Sequence, residues 1–130
     1  MENDVKMNAK LAKLVQELRE LPPVQLQEGS SRRQYRVIAR ALDKRGRVIC
    51  TRTNTYKTSH PVQKHFAVKV GRPDAIYLHA EISVLLSAKQ EVHTLLIARI
   101  DRDGNPATAK PCEICSIAIE QYGVKEIIHT

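Results

Sequence analysis

Apolar residues fall at helical spacing from the start of the chain, at Val5, Leu11, Leu14, Val15, Leu18 and Leu21. This pattern predicts an amphipathic helix over residues 5 to 21, with Asn3 or Asp4 as cap and Pro22-Pro23 as stop. A polar connector, QEGSSRR, follows, and the period then changes. "YRVIARALD" and "RVICTRTN" read as two strands of an antiparallel hairpin turning around Gly46. The next stretch, "TNTYKTSHPVQKHFAVKVGRPDAIYL", keeps no single period and carries Pro61, Gly71 and Pro73. It predicts a connector holding a short helix near residues 61 to 70, a length more often functional than idle. After it come a helix opening at His79, the apolar run "HTLLIARI", a "DRDGNPATAK" loop, a helix from Pro111 to about Tyr122 and a short strand, "KEIIHT". Leu95, Leu96, Ile97 and Ile100 suit a central strand buried on both faces. This alternation of strand and helix predicts an α/β layered sheet.

Composition bounds the class. A chain of 130 residues fits one domain with a real core, and 42% hydrophobic with 27% charged residues reads as soluble and globular. No apolar run approaches the roughly 20 residues of a membrane-spanning helix. The opening MENDVKMNAKLAKLVQELRE is charged throughout, unlike a signal peptide. Three cysteines, two in one CxxC, do not make a disulfide framework, which points to the reducing cytoplasm. The net charge of +7 is unevenly spread. Residues 32 to 72 hold twelve Lys or Arg against the single acid Asp43, leaving −4 for the remainder. That segment expects an anionic partner, the phosphate of a nucleotide or a nucleic acid backbone. A solvated basic strand face is the bland alternative.

The chemistry concentrates in two short stretches. In "YLHAEISVLLSA", His79 and Glu81 stand at the mouth of an apolar run, where neither is buried cheaply without a partner. In "KPCEICSIAIEQYG", Cys112 and Cys115 are three apart and so share one helix face. Pro111 suits a first helical turn, which places both thiols at a helix N-terminus, where amides and dipole favour thiolates. A CxxC alone serves redox and structural zinc sites equally. A structural site needs two further ligands, however, and His79 is the one that stands out. Three protein ligands with one position open is the pattern of catalytic zinc. Cys50, in the "VIC" strand, reads as a small buried hydrophobe, and His93 and His129 as surface or strand-end residues.

The set His79, Glu81, Pro111, Cys112 and Cys115 matches the H-x-E…P-C-x-x-C signature of zinc deaminases. On these motifs the chain resembles the cytidine and deoxycytidylate deaminase superfamily from about Tyr35 to Thr130. "QYGVKEIIHT" is similar in style to the deoxycytidylate and tRNA-adenosine branches. The resemblance implies a three-layer α/β/α fold with a mixed sheet and two zinc-binding helices. It divides the chain into an N-terminal helix and linker (1–30) and a zinc-dependent deaminase domain (31–130). It implies zinc held by His79, Cys112 and Cys115, lowering the pKa of its bound water to give a hydroxide that attacks the amine-bearing ring carbon. Glu81 then shuttles the proton. Asn54 matches the family's pocket asparagine, and the Ala80 amide is placed to donate to the base. Tyr56, His60 and His65, in the connector, are candidates for a pocket or phosphate role, and Pro111 borders the substrate.

Three functions stay open on the sequence. One is deamination of a free cytosine nucleoside or nucleotide. Another is deamination of cytosine or adenine within a single-stranded nucleic acid. The third is a catalytically silent zinc module. An aromatic content of 4% disfavours stacking along a strand, whereas the basic segment favours it. The resemblance also implies a homo-oligomer, dimer or tetramer. Relatives often continue past the last strand seen here, so those substrate walls are expected either to be absent or to come from a neighbouring subunit.

Overall fold

The computed structural model describes residues 8–21, 36–54, 60–72 and 79–130. Four helices and five strands occur in the order α1 (Ala9–Glu20), β1 (Arg36–Leu42), β2 (Val48–Thr53), α2 (Pro61–Lys69), α3 (Ala80–Ala88), β3 (Thr94–Ile100), β4 (Pro106–Ala107), α4 (Glu113–Gln121) and β5 (Glu126–His129). The strands make one mixed sheet. β1 pairs antiparallel with β2 on one side and with β3 on the other. The far edge of β3 is shared, with β5 running parallel to its first half and β4 antiparallel to its end. β3 is therefore the central strand, and Leu95, Leu96, Ile97 and Ala98 are all fully buried.

Successive side chains of a strand point to opposite faces, and both faces here are covered. Ala39, Ala41, Leu95 and Ile97 pack with residues of α2, α3 and α4, including Phe66, Ile82, Val84 and Ile114. Ile38, Leu42, Leu96, Ala98 and Ile100 pack instead with Leu11, Leu14, Val15 and Leu18 of α1. The result is the three-layer α/β/α arrangement that the family resemblance implies. Among the described residues, helix α1 covers one face, and α2, α3 and α4 cover the other.

The helix boundaries differ from those read off the sequence. Helix α1 opens at Ala9, because the Asn8 side chain accepts the Lys10 N–H at 2.8 Å and caps it. Asn3, Asp4 and Val5 lie outside the described residues. At the other end Arg36 donates to the carbonyls of Leu18 (2.7 Å) and Leu21, which satisfies acceptors that a helix end leaves open. The β1–β2 turn is held by Asp43, whose Oδ1 accepts the N–H groups of Arg45 and Arg47, each at 2.9 Å. Gly46 completes this turn at φ 81°, a conformation open to glycine. A Cβ there would also stand 2.7 Å from the Lys10 Nζ, which donates to the Gly46 carbonyl from α1. The hairpin and α1 are thus locked together.

Several cations of the basic segment are used up in this frame. Arg36 caps α1, and Arg47 pairs with Asp43 at 3.0 Å. Arg40 is buried and meets Glu17 of α1 with two contacts, at 2.6 and 2.7 Å. The excess positive charge is in part scaffold rather than ligand surface.

Candidate metal centre

Two helix N-termini converge on the face of the sheet opposite α1. His79 is the N-cap residue of α3, in extended conformation, and its carbonyl accepts the Ser83 N–H at 2.9 Å. Cys112 is the N-cap of α4, and its carbonyl accepts the Ser116 N–H at 2.8 Å. Helix α4 therefore begins at Glu113, two residues later than Pro111. Pro111 precedes the cap, with its carbonyl 3.4 Å from the Ser116 hydroxyl that donates to it. The extended backbone of Cys112 turns its thiol toward the helix start, and Cys115 meets it from the first turn.

The His79 Nδ1 lies 3.2 Å from the Cys115 Sγ and 3.6 Å from the Cys112 Sγ. All three ligand atoms fall within 4.8 Å of one another. Zinc bonds of roughly 2.0–2.3 Å at tetrahedral angles put neighbouring ligand atoms about 3.5–3.8 Å apart, so this triangle is one that zinc spans with little adjustment. Two thiols and an imidazole are also the donor types zinc prefers. His79 faces the pair through Nδ1, the nitrogen nearer its own backbone. His79 and Cys112 are half-buried and Cys115 is fully buried.

The electrostatics of the triangle separate its members. The Cys112 thiol is brought down to about 3, chiefly by the hydrogen bond from Cys115, with His79 and the Cys115 amide adding to it against the cost of burial. Cys115 is pushed up well beyond the ordinary thiol range by that same bond, by burial and by the neighbouring Glu81 carboxylate. Burial opposes a charged His79, yet the Cys112 hydrogen bond and the charges of Cys112 and Glu81 outweigh it and raise the imidazole. One thiolate is thus formed by the protein alone. A dication held there would favour the thiolate form of the second as well, its proton passing to solvent.

Glu81 stands at the second position of α3, only 7% exposed. Burial raises its carboxyl above the usual range, offset in part by its own N–H and by His79. Its carboxyl and the Cys115 thiol act on each other: Cys115 lowers Glu81 and Glu81 raises Cys115. The N–H groups of Ala80, Glu81 and Ile82 precede the first intrahelical donor, Ser83, and give this end of α3 its positive character.

The other expected residues are spread more widely. Asn54 closes β2, with its Oδ1 accepting the Val37 N–H at 3.0 Å and its own N–H donating to the Val37 carbonyl. His60 caps α2, its Nδ1 accepting the Val62 N–H at 3.1 Å. His65 is exposed and stacks edge-on against Phe66. Tyr56 lies outside the described residues. One contact was not foreseen. Gln63 of α2 is fully buried and accepts the backbone N–H of His79 at 3.2 Å. Its signal in the sequence was a polar residue in register with Phe66 and Ala67, on the apolar side of its helix.

Among the described residues no helix is long and apolar enough to cross a membrane. No curated protein matches the chain. A family model described as the cytidine and deoxycytidylate deaminase zinc-binding region matches residues 16–130. The match begins inside α1, well before the Tyr35 at which the motifs alone placed it. The chain belongs to this family of zinc-dependent deaminases, and His79, Cys112 and Cys115 are the group whose ligand atoms could hold the metal.

Proposed function

We propose that the chain hydrolyses the exocyclic amine of a free cytosine nucleoside or nucleotide, in the manner of a deoxycytidylate deaminase, with Glu81 as the proton shuttle. The observation that carries this reading is the buried Glu81 carboxyl set against Cys115 on the helix that His79 caps. Zinc at the three ligands supplies a Lewis acid that makes a water nucleophilic near neutral pH. Glu81 takes a proton from the attacking water and passes it to the ring nitrogen. It then helps protonate the departing ammonia, so that water and an amine become a carbonyl and NH3. A raised carboxyl pKa suits this duty, because the group must both accept and return a proton. The Ala80 N–H, outside the helical ladder, is the donor assigned to the base, and Asn54 is assigned to the sugar or base. Tyr56, His60 and Pro111 complete the proposed substrate contacts.

A mononucleotide is favoured over a strand by two features. Stacking platforms are scarce: Phe66, the single phenylalanine, is buried beneath His65 and Lys69. Three of the twelve cations of the basic segment, Arg36, Arg40 and Arg47, are engaged by α1 and the hairpin turn. The alternative, cytosine or adenine within single-stranded DNA or RNA, draws on the exposed Lys64, Lys69 and Arg72 in and after α2. The proposal includes a cytoplasmic homo-oligomer, dimer or tetramer, measurable by light scattering after size exclusion.

The test is ammonia release from cytidine, deoxycytidine, their phosphates, the adenosine counterparts and single-stranded oligonucleotides. Activity confined to cytosine monomers supports the proposal, and activity on oligonucleotides alone overturns its substrate. Glu81→Gln is expected to keep stoichiometric zinc while losing at least 10²-fold in turnover, the scale of general acid–base catalysis. An active Glu81→Gln enzyme would remove the shuttle from the mechanism.

A further inference from the structure

Gln63 occupies a position that stability alone would give to an apolar residue. It is 0% exposed on the face of α2 shared with Phe66 and Ala67, and its Nε2 is buried with no hydrogen-bond partner among the described residues. Leaving a buried donor unpaired is destabilising, so the residue is retained against a cost. Among the described residues its one bond is the one that its Oε1 accepts from the N–H of His79.

That N–H has a particular status. His79 is the N-cap of α3, and the N–H of an N-cap residue has no intrahelical acceptor. Many helices satisfy it with a Glu or Gln at the third helical position, reaching back as half of a capping box. In α3 the third position is Ile82, fully buried in the core, which cannot accept. Gln63 provides the missing acceptor from the neighbouring helix. The bond fixes the backbone of the residue whose ring nitrogen is the third zinc ligand. Because Nδ1 is the ligating atom and lies close to the main chain, the ring's aim at Cys112 and Cys115 depends directly on that backbone.

We propose that Gln63 is a positioning residue for the zinc site, holding the N-cap backbone of His79 so that Nδ1 faces the two thiols. The proposal rests on the zinc reading of the site. It also explains why a polar residue stands in the core of α2. Gln63→Met keeps the length and apolar fit but removes the acceptor. The metal-free variant is expected to melt close to the temperature of the metal-free wild type, since removing a buried amide offsets the loss of the acceptor for the His79 N–H. Its zinc affinity, measured against a chromophoric chelator, is expected to fall about tenfold, the lower end of the usual cost of losing a residue that orients a metal ligand. Its Co2+-loaded form should show altered visible ligand-field bands. Gln63→Glu keeps an acceptor oxygen and should retain zinc better than Gln63→Met. Unchanged zinc affinity in Gln63→Met would overturn the proposal. Failure of that variant to fold, or an equal loss of stability with and without metal, would also overturn it by making Gln63 a plain structural residue. A wild-type protein that binds no zinc would instead fault the metal site itself.

Discussion

Cys50 and Cys115 are both part of the same core cluster, yet their surroundings give them different chemistry. The Cys50 thiol donates to the Val84 carbonyl at 3.4 Å, tying β2 to α3, and burial holds its pKa above the usual range. It is a small packing group with no second ligand near it in the described metal cluster. Cys50→Ala is therefore expected to keep one zinc per chain by elemental analysis, at a stability cost of about 1 kcal/mol. Cys115→Ala should bind zinc poorly or not at all, and zinc retained at wild-type affinity would break the assignment. This division was legible in the sequence, because His79, Glu81, Cys112 and Cys115 sit in two local motifs whose spacing carries the geometry. Gln63 was not legible. Its partner is sixteen residues away, and the contact exists only once α2 has docked against the start of α3.

Helices were easier to find than to bound. The apolar spacing read for α1 includes Leu11, Leu14, Val15, Leu18 and Leu21; the structure buries the first four, while Leu21, past the helix end, is exposed and Val5 lies outside the described residues. Where the helix starts is settled by a single side-chain bond from Asn8, and apolar periodicity contains no information about such a bond. In α4 the Pro-first rule points to Pro111, while the extended Cys112 shifts the start by two residues and in doing so aims a ligand at the site. The two kinds of contact carry different weight. Leu14→Ala removes a fully buried side chain facing Leu96 and Ile100 across the core of the α1 layer, and should cost roughly 2–5 kcal/mol in denaturant unfolding. Asn8→Ala loses only a cap, about 1 kcal/mol. A Leu14→Ala loss no larger than that of the cap would mean that α1 is a loosely held appendage rather than one layer of the fold.

At the scale of the molecule, charge binds that layer to the sheet. Arg40 points from the centre of β1 to α1, with 11% of its side chain exposed; its Nε donates to Thr51 at 2.9 Å, and its two terminal nitrogens meet Glu17, which is 38% exposed. A buried guanidinium is costly without its carboxylate, so the pair matters more for what its loss leaves behind than for its attraction. The Arg40 hydrogen bond holds the Glu17 carboxyl below its ordinary value, against the smaller cost of burial. The Arg47 and Arg45 amides likewise lower Asp43 at the turn on which α1 also rests through Lys10. A carboxyl depressed in the folded state gives stability that is fully present above its unfolded pKa, about 4.3 for Glu, and that disappears as pH falls through the folded value. Acid should therefore loosen the α1 face while leaving a chain whose +7 charge at neutrality only grows. Solvent screening of the half-exposed Glu17 limits its share to about 1 kcal/mol. Glu17→Gln should be less stable than wild type at pH 7 by about that amount, with the gap closing as pH drops below 4. Urea unfolding of both proteins across that range measures it, and a gap that stayed constant with pH would show that the Arg40–Glu17 pair contributes through packing rather than through charge.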